Sequence, residues 1–107
     1  MKRGEVWWVA FVQGAEGEIN KERPALIISN DAANRHLNRV QVVPFTTTVD
    51  RVYPGEALVS LSGRSVKAMA DQLRTVSKTR LTNLAGHLSP SDLERVERAV
   101  ILQLGLG

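Results

Sequence analysis

The sequence predicts a mainly β protein, a small barrel or twisted sheet of about five to seven short strands with short helices and a C-terminal amphipathic helix. Short apolar runs between brief polar turns predict the strands, and a final run with helical spacing predicts the helix. The length of 107 residues predicts a single domain, residues 1–107, that can bury one modest core.

Three strands and a long polar loop are predicted in the first half of the chain. Aromatic and β-branched residues favour a strand over residues 5–11, and a continuous apolar run favours a buried strand over residues 24–29. Alternating residues favour a third strand over residues 39–46. Glycines and charged side chains predict a mobile loop over residues 13–22. The adjacent tryptophans of the first strand should face opposite sides, one toward the core.

The second half is predicted to contain a turn, three strands and a single helical turn. Residues 51–55 form the turn, and residues 56–61 and 65–73 form two strands joined at a glycine. Ser77 is predicted to cap one helical turn that runs through Leu81. Residues 84–88 are predicted to return as a short strand.

Two helices are predicted from their caps. Asn30 and Asp31 are predicted to be the cap residues of a short helix over residues 32–38, and Ser89 with Pro90 begins the C-terminal helix, which Gly105 ends. That helix carries an apolar stripe, so it needs an apolar groove on the barrel or a second copy of the chain to pack against. The stripe consists of Leu93, Val96, Val100, Ile101 and Leu104.

Composition limits the classes of protein and of site. Without cysteine the chain can form neither disulfides nor thiolate sites, and a cytoplasmic location is expected. The N-terminus does not resemble a signal peptide, and no apolar run approaches the ~18 residues of a membrane span. The formal charge of +3 fits either a polyanionic partner or a well-solvated surface.

Arg23 is the first candidate for chemistry, because it stands between the polar loop and the second strand. Pro24 fixes its own φ and restricts Arg23 to extended geometry, so the guanidinium faces whatever the loop admits. Such a group can act on a phosphate without a metal. The alternative is a surface arginine that forms an ion pair with Glu16, Glu18 or Glu22.

Thr46, Thr47 and Thr48 are the second candidate, because hydroxyl groups at a strand end can donate hydrogen bonds to a phosphate. The alternative is that threonine occurs there for its strand preference. His36 and His87 are isolated in sequence and are predicted to be surface or half-buried side chains, not catalytic bases. No metal-ligand motif is present, so neither a metal nor another cofactor is expected. Candidates for backbone-phosphate contacts are Lys21, Arg35, Arg39, Arg64, Lys67 and Arg74.

Five segments, in order along nearly the whole chain, resemble the MazF/PemK-type toxins of toxin–antitoxin modules. They are residues 4–9 (GEVWWV), 23–31 (RPALIISND), 42–48 (VVPFTTT), 71–76 (DQLRTV) and 78–81 (KTRL). The resemblance implies an SH3-like barrel with a C-terminal helix, paired as a homodimer. It also implies a metal-independent, sequence-specific endoribonuclease that acts on single-stranded RNA and is restrained by an antitoxin with an acidic, partly disordered segment.

The family's catalytic arginine falls on Arg23 and its catalytic threonine on Thr46. The expected substrate-binding residues are Gln72, Lys21, Asn34, Arg35 and Arg74. The mechanistic hypothesis is attack by the RNA 2′-OH, which gives 2′,3′-cyclic phosphate and 5′-OH ends, with the general base unassigned. Two alternatives are a non-enzymatic, CcdB-like toxin that binds DNA gyrase and a passive nucleic-acid-binding module. The first needs neither Arg23 nor Thr46, and the second would bind RNA without producing fragments.

Overall fold

A seven-stranded sheet forms most of the protein and curls into a half-barrel. The computed structural model describes residues 1–11 and 22–107, so the predicted loop over residues 13–22 lies outside the described residues except for Glu22. The elements are β1 Glu5–Ala10, β2 Glu22–Ile27, α1 Asp31–His36, β3 Arg39–Thr46, β4 Glu56–Leu61, β5 Arg64–Met69, β6 Arg74–Ser77, β7 Leu81–His87 and α2 Pro90–Leu104, with 3₁₀ turns at Ala70–Gln72 and Lys78–Arg80.

Strand β3 is the centre of the sheet. The strand order is β4-β5-β3-β2-β1-β7, and β6 also pairs with β3. All pairings are antiparallel. One edge of β3 binds β2, while the other binds β6 along its first half and β5 at its end.

The sheet separates two clusters of buried side chains. The first contains Leu26, Val43 and Phe45, and it is covered by Val96 and Ala99 of α2. The second contains the residues next to these on the same strands, such as Ile27 beside Leu26 and Val42 beside Val43. Successive side chains of a strand point to opposite faces, so β2 and β3 contribute to both clusters, and their runs read as continuously apolar.

The helix predictions are confirmed at the level of the caps. The Asn30 side chain accepts a hydrogen bond from the Ala33 N–H at 2.8 Å, and α1 follows it. Ser89 accepts from the Asp92 N–H at 3.2 Å, and Gly105 ends α2 with a φ of 69°. No helix in the described part of the chain is long and apolar enough to cross a membrane.

The strand predicted over residues 65–73 is wrong in its extent, because β5 is followed by a 3₁₀ turn over Ala70–Gln72, and β6 begins only at Arg74. β5 ends at Met69, and the Ala70 N–H then donates to the Gly55 carbonyl at 3.1 Å. The chain turns there because β5 and β6 share one edge of β3, and a single straight strand cannot pair with both halves. The prediction for the tryptophans is confirmed: Trp7 packs against the second cluster, and Trp8 is exposed.

Candidate active site

Arg23 lies within β2, which begins at Glu22. The sequence had predicted that the strand begins one residue after Arg23. Arg23 pairs with Val9 of β1, a fully buried member of the second cluster. Directly paired residues share a face of the sheet, and so do residues two apart on one strand. The Arg23 side chain is therefore directed to the same face as Ala25, at the end of the second cluster, where it is half-buried.

Thr46 is the last residue of β3, the strand beside β2. The β2–β3 ladder ends with Ala25 paired to Pro44, and Arg23 and Thr46 each lie two residues beyond that pair. Residues two apart on a strand share a face of the sheet. The two residues of the predicted catalytic pair thus come from neighbouring strands and one face of the sheet. The pairing of β2 with β3 brings the two residues to the same part of the sheet, although 23 positions separate them in sequence.

The hydroxyl of Thr46 has one hydrogen bond that fixes its role. The Thr48 N–H donates to Thr46 Oγ1 at 3.3 Å. A threonine oxygen that already accepts an N–H still has its own O–H to donate. Thr46 is half-buried, and Thr47 and Thr48 are exposed. Of the three threonines, Thr46 is the one whose position and hydrogen bonding suit donation to a group beside Arg23.

A second guanidinium lies on the same face. Arg74 of β6 pairs with Val42 of the second cluster, and its guanidinium carbon is 4.9 Å from the centre of the Phe11 ring. A guanidinium over an aromatic face is attracted by the ring quadrupole and keeps its N–H edge available. Phe11 itself packs against the second cluster. Sequence reasoning missed Phe11, because the stack joins strands far apart in the chain.

The alternative of an Arg23 ion pair can be examined for Glu22. The Glu22 carboxylate accepts a hydrogen bond from the Thr82 hydroxyl at 2.6 Å. Within residues 1–11 and 22–107, neither Arg23 nor Arg74 takes part in an ion pair. Glu16 and Glu18 lie outside the described residues. Arg23 and Arg74 thus place two guanidinium groups on one face of the sheet, and guanidinium groups are suited to bind phosphate.

Two of the other predicted substrate-binding residues, Gln72 and Arg35, are exposed on the surface. Gln72 is exposed at the end of the 3₁₀ turn before β6, with its Nε2 3.6 Å from the Met69 sulfur. Arg35 is exposed in the last turn of α1. Lys21 lies outside the described residues. Gln72 is two positions from Arg74 along the chain, so these two share a region of the surface.

Asn34 does not fit the prediction of substrate contact, because its side chain is only 2% exposed. Its Oδ1 accepts from the Ser29 hydroxyl at 2.6 Å, and its Nδ2 donates to the Ser29 carbonyl at 3.0 Å. The Ser29 hydroxyl in turn accepts from the Gln41 N–H at 3.1 Å. The amide is thus used inside the fold, where it joins α1 to the start of β3.

Lys67 does not fit the prediction of a phosphate contact either. Its side chain is buried, and its ammonium lies 3.2 Å from a carboxylate oxygen of Glu56. A buried, paired ammonium cannot follow an RNA backbone on the surface. A lysine inside an otherwise apolar strand, VKAMA, was the signal that sequence reasoning could have used.

A hydrogen bond between Arg3 and Asp31 joins the N-terminus to the start of α1. The Arg3 N–H donates to an Asp31 carboxylate oxygen at 2.8 Å, and this bond together with the Asn34 amide lowers the pKa of Asp31 below its ordinary value. His36 and His87 are both exposed, as predicted. Across the described segments, no three His, Cys, Asp or Glu residues are grouped as ligands for a metal ion.

Comparison with known proteins identifies one family. A family model described as PemK-like, MazF-like toxin of type II toxin–antitoxin system matches residues 2–104. The endoribonuclease MazF9 of Mycobacterium tuberculosis is 35% identical over 115 residues, which cover 99% of this chain and 98% of the relative. Endoribonuclease EndoA of Bacillus subtilis is 27% identical over 111 residues, which cover 99% of this chain and 96% of the relative.

Solved structures give the same result. An endoribonuclease in complex with its cognate antitoxin from a Mycobacterial species matches with a TM-score of 0.84 and 29% identity, covering 100% of this chain and 97% of that one. MazF from Deinococcus radiodurans matches with a TM-score of 0.83 and 26% identity, covering 99% and 97%. These matches confirm the predicted fold class, and the curated relatives are named endoribonucleases, as the resemblance implied.

Proposed function

This chain belongs to the PemK-like, MazF-like toxin family of type II toxin–antitoxin systems, and on that premise we propose that it cleaves single-stranded RNA at specific sequences without a metal ion. The observation that supports this most strongly is that Arg23 and Thr46 lie on neighbouring strands and on one face of the sheet, each two residues beyond the Ala25–Pro44 pair. A guanidinium and a hydroxyl on one face can hold a single phosphate between them. A passive nucleic-acid-binding module or a gyrase-binding toxin needs no such pair.

In the proposed reaction RNA supplies its own nucleophile. The 2′-oxygen forms a bond to the adjacent phosphorus while the bond to the 5′-oxygen breaks, and the products carry a 2′,3′-cyclic phosphate and a 5′-OH. The 2′ proton passes to a base. The leaving 5′-oxygen takes up a proton from the Arg23 guanidinium, and the proton held by the base then returns through water to Arg23. The protein has to align these atoms and stabilise the charge on the phosphorane.

Each site residue has a defined part in this proposal. Arg23 donates two parallel N–H bonds to the non-bridging oxygens, where the negative charge grows in the transition state. Thr46 donates its O–H to one of the same oxygens, since its own oxygen is already bound by the Thr48 N–H. Arg74 and Gln72 contact the flanking nucleotides, with Arg74 held flat against Phe11.

The proposal is tested by mapping the ends of a long defined RNA after incubation in EDTA. We expect specific fragments with 2′,3′-cyclic phosphate and 5′-OH ends, because no step requires a cation. An oligonucleotide with a single 2′-deoxy substitution at the cut nucleotide should resist cleavage, since the nucleophile is gone. Cleavage of that oligonucleotide at the normal rate would refute the 2′-OH mechanism. Binding without any fragments would favour a passive RNA-binding module.

A homodimer is the second part of the proposal, and an apolar groove supports it. A cavity of about 450 Å³ lies between residues 52–58 and α2, lined mainly by apolar side chains such as Val52, Leu58 and Leu102. Ile101 and Leu104 beside it are also exposed. An exposed apolar patch of this kind marks an interaction surface, and a second copy of the chain is the occupant that the family implies.

We expect sedimentation velocity at micromolar concentration to give a dimer for the wild type and a monomer for Leu102→Glu, which puts a charge into the apolar groove. The matched control is Leu84→Glu, because Leu84 is equally exposed, at 56% against 59% for Leu102, but lies on the edge strand β7. A monomeric wild type, or a dimer that survives Leu102→Glu, would contradict the proposed interface.

An antitoxin is the third part of the proposal. The solved relatives include an endoribonuclease in complex with its cognate antitoxin and MazE–MazF from Deinococcus radiodurans. An acidic, partly disordered segment of a cognate antitoxin would bind across Arg23 and Arg74 and become ordered as it binds. Adding the antitoxin to the RNA assay should then stop cleavage, and undiminished cleavage at saturating antitoxin would exclude this mode of control.

A further inference from the structure

The ion pair between Lys67 and Glu56 is unusual in this structure because it is buried. Lys67 Nζ lies 3.2 Å from Glu56 Oε1, and the two side chains are only 10% and 14% exposed. Every other ion pair between described residues is more exposed on both sides. Buried ion pairs stabilise a fold little, since desolvation offsets their attraction, and apolar residues of similar volume often replace them without loss. Stability alone therefore gives little reason for the pair.

The pair binds the backbone of the segment that follows Thr46. Lys67 Nζ donates to the Arg51 carbonyl at 3.0 Å, and the Tyr53 N–H donates to Glu56 Oε1 at 2.8 Å. Both contacts are made to residues 51–53, in the second half of the segment over residues 47–55, which connects Thr46 to β4. Lys67 itself pairs with Thr46 across β3 and β5, at the start of this connection. The pair thus joins the second half of the connection to the strand residue beside Thr46.

We propose that the Lys67–Glu56 ion pair positions the Thr46 hydroxyl for catalysis, a role that rests on the proposed function of Thr46. The Thr48 N–H orients Thr46 Oγ1, and Thr48 is the second residue of the connection that the pair holds. If that connection changes conformation, the Thr48 N–H moves and the hydroxyl loses its orientation. Lys67 and Glu56 are positioning residues, because their contacts are with the protein and not with RNA.

The test uses the double variant Lys67→Met/Glu56→Leu, which avoids leaving one charge buried without its partner. We expect kcat for cleavage of a short RNA containing the mapped site to fall by about 10- to 100-fold, with KM nearly unchanged, because a small displacement of a catalytic group costs this much. The matched control is Lys2→Met/Glu94→Leu, which makes the same changes at two exposed positions. An unchanged kcat in the Lys67/Glu56 variant would overturn the proposal.

A mutant cycle with Thr46→Val separates this inference from the proposed function. If the pair acts through Thr46, then adding Lys67→Met/Glu56→Leu to Thr46→Val should change kcat by less than about twofold. Equal losses in both backgrounds would overturn the positioning role while leaving Thr46 in place. Full activity of Thr46→Val by itself would refute the proposed function, and the inference would fall with it.

A spectroscopic measurement reports on the connection without any RNA. Tyr53 is the one tyrosine in the sequence, so fluorotyrosine labelling gives a single ¹⁹F resonance from the segment that the pair holds. We expect this resonance to shift or broaden in Lys67→Met/Glu56→Leu and to stay in place in Lys2→Met/Glu94→Leu. An identical resonance in both variants would show that the segment does not depend on the pair, and would overturn the proposal.

Discussion

Replacing Arg23 by lysine is expected to slow RNA cleavage by about 100- to 1,000-fold, or about 2.7–4 kcal/mol of transition-state stabilisation. Lysine keeps the positive charge but has a single ammonium, so it cannot donate two parallel N–H bonds to the phosphorane oxygens. The measurement is single-turnover cleavage of a short RNA that contains the mapped site, at saturating enzyme. Arg23→Ala, which loses the charge as well, should lose at least as much.

Binding and chemistry can be separated in this experiment. The affinity of Arg23→Lys for the 2′-deoxy oligonucleotide should stay close to that of the wild type, since the charge that attracts the phosphate remains. The matched control is Arg80→Lys, an exposed arginine on the second 3₁₀ turn, which should cleave at the wild-type rate. If Arg23→Lys cleaves as fast as Arg80→Lys, Arg23 does not stabilise the transition state through two parallel N–H bonds.

Local sequence signals predicted the elements that depend on local chemistry. The bounds of β3 and of α2 follow from residues within the elements or next to them, such as Ser89 and Gly105. The break between β5 and β6 could not be predicted in this way, because no glycine or proline marks it. It results from the pairing of both strands with one edge of β3, which is a property of the assembled sheet.

The sequence predicted the residues of the candidate site but not their positions relative to one another. Arg23 and Thr46 were identified through the family resemblance, whereas their positions on one face of the sheet depend on the register between β2 and β3. The stack of Arg74 on Phe11 joins β6 to the end of the first strand, and no local pattern indicates it. Non-local pairing thus decides which of the chain's many cations can meet one phosphate.

Two of the polar residues named as candidates for nucleic-acid contacts lie inside the protein. Asn34 and Lys67 belong to types that contact nucleic acid, yet both are buried and bound within the protein. Each follows or interrupts an apolar run, and a buried polar side chain must find partners inside the fold. Their roles depend on those partners, Ser29 for Asn34 and Glu56 for Lys67, which the sequence does not bring together.

The largest expected effect on stability is that of Phe45→Ala, which should lower the free energy of unfolding by about 3–5 kcal/mol. Phe45 is 1% exposed and lies in the first cluster, directly before Thr46 and paired with Ala68 of β5. Removing the ring leaves a cavity at the place where β3, β5 and α2 meet, and close packing allows only partial collapse around it. Denaturant unfolding at a fixed protein concentration measures the loss.

The control for this prediction is Leu84→Ala, since Leu84 is 56% exposed and its removal should change the free energy of unfolding by less than about 0.5 kcal/mol. The protein concentration is held constant because a dimer links stability to association. Similar losses in the two variants would mean that Phe45 is not the packing anchor beneath the site. A large loss confined to Phe45→Ala would show that this buried ring anchors the end of β3, the strand whose next residue carries the Thr46 hydroxyl.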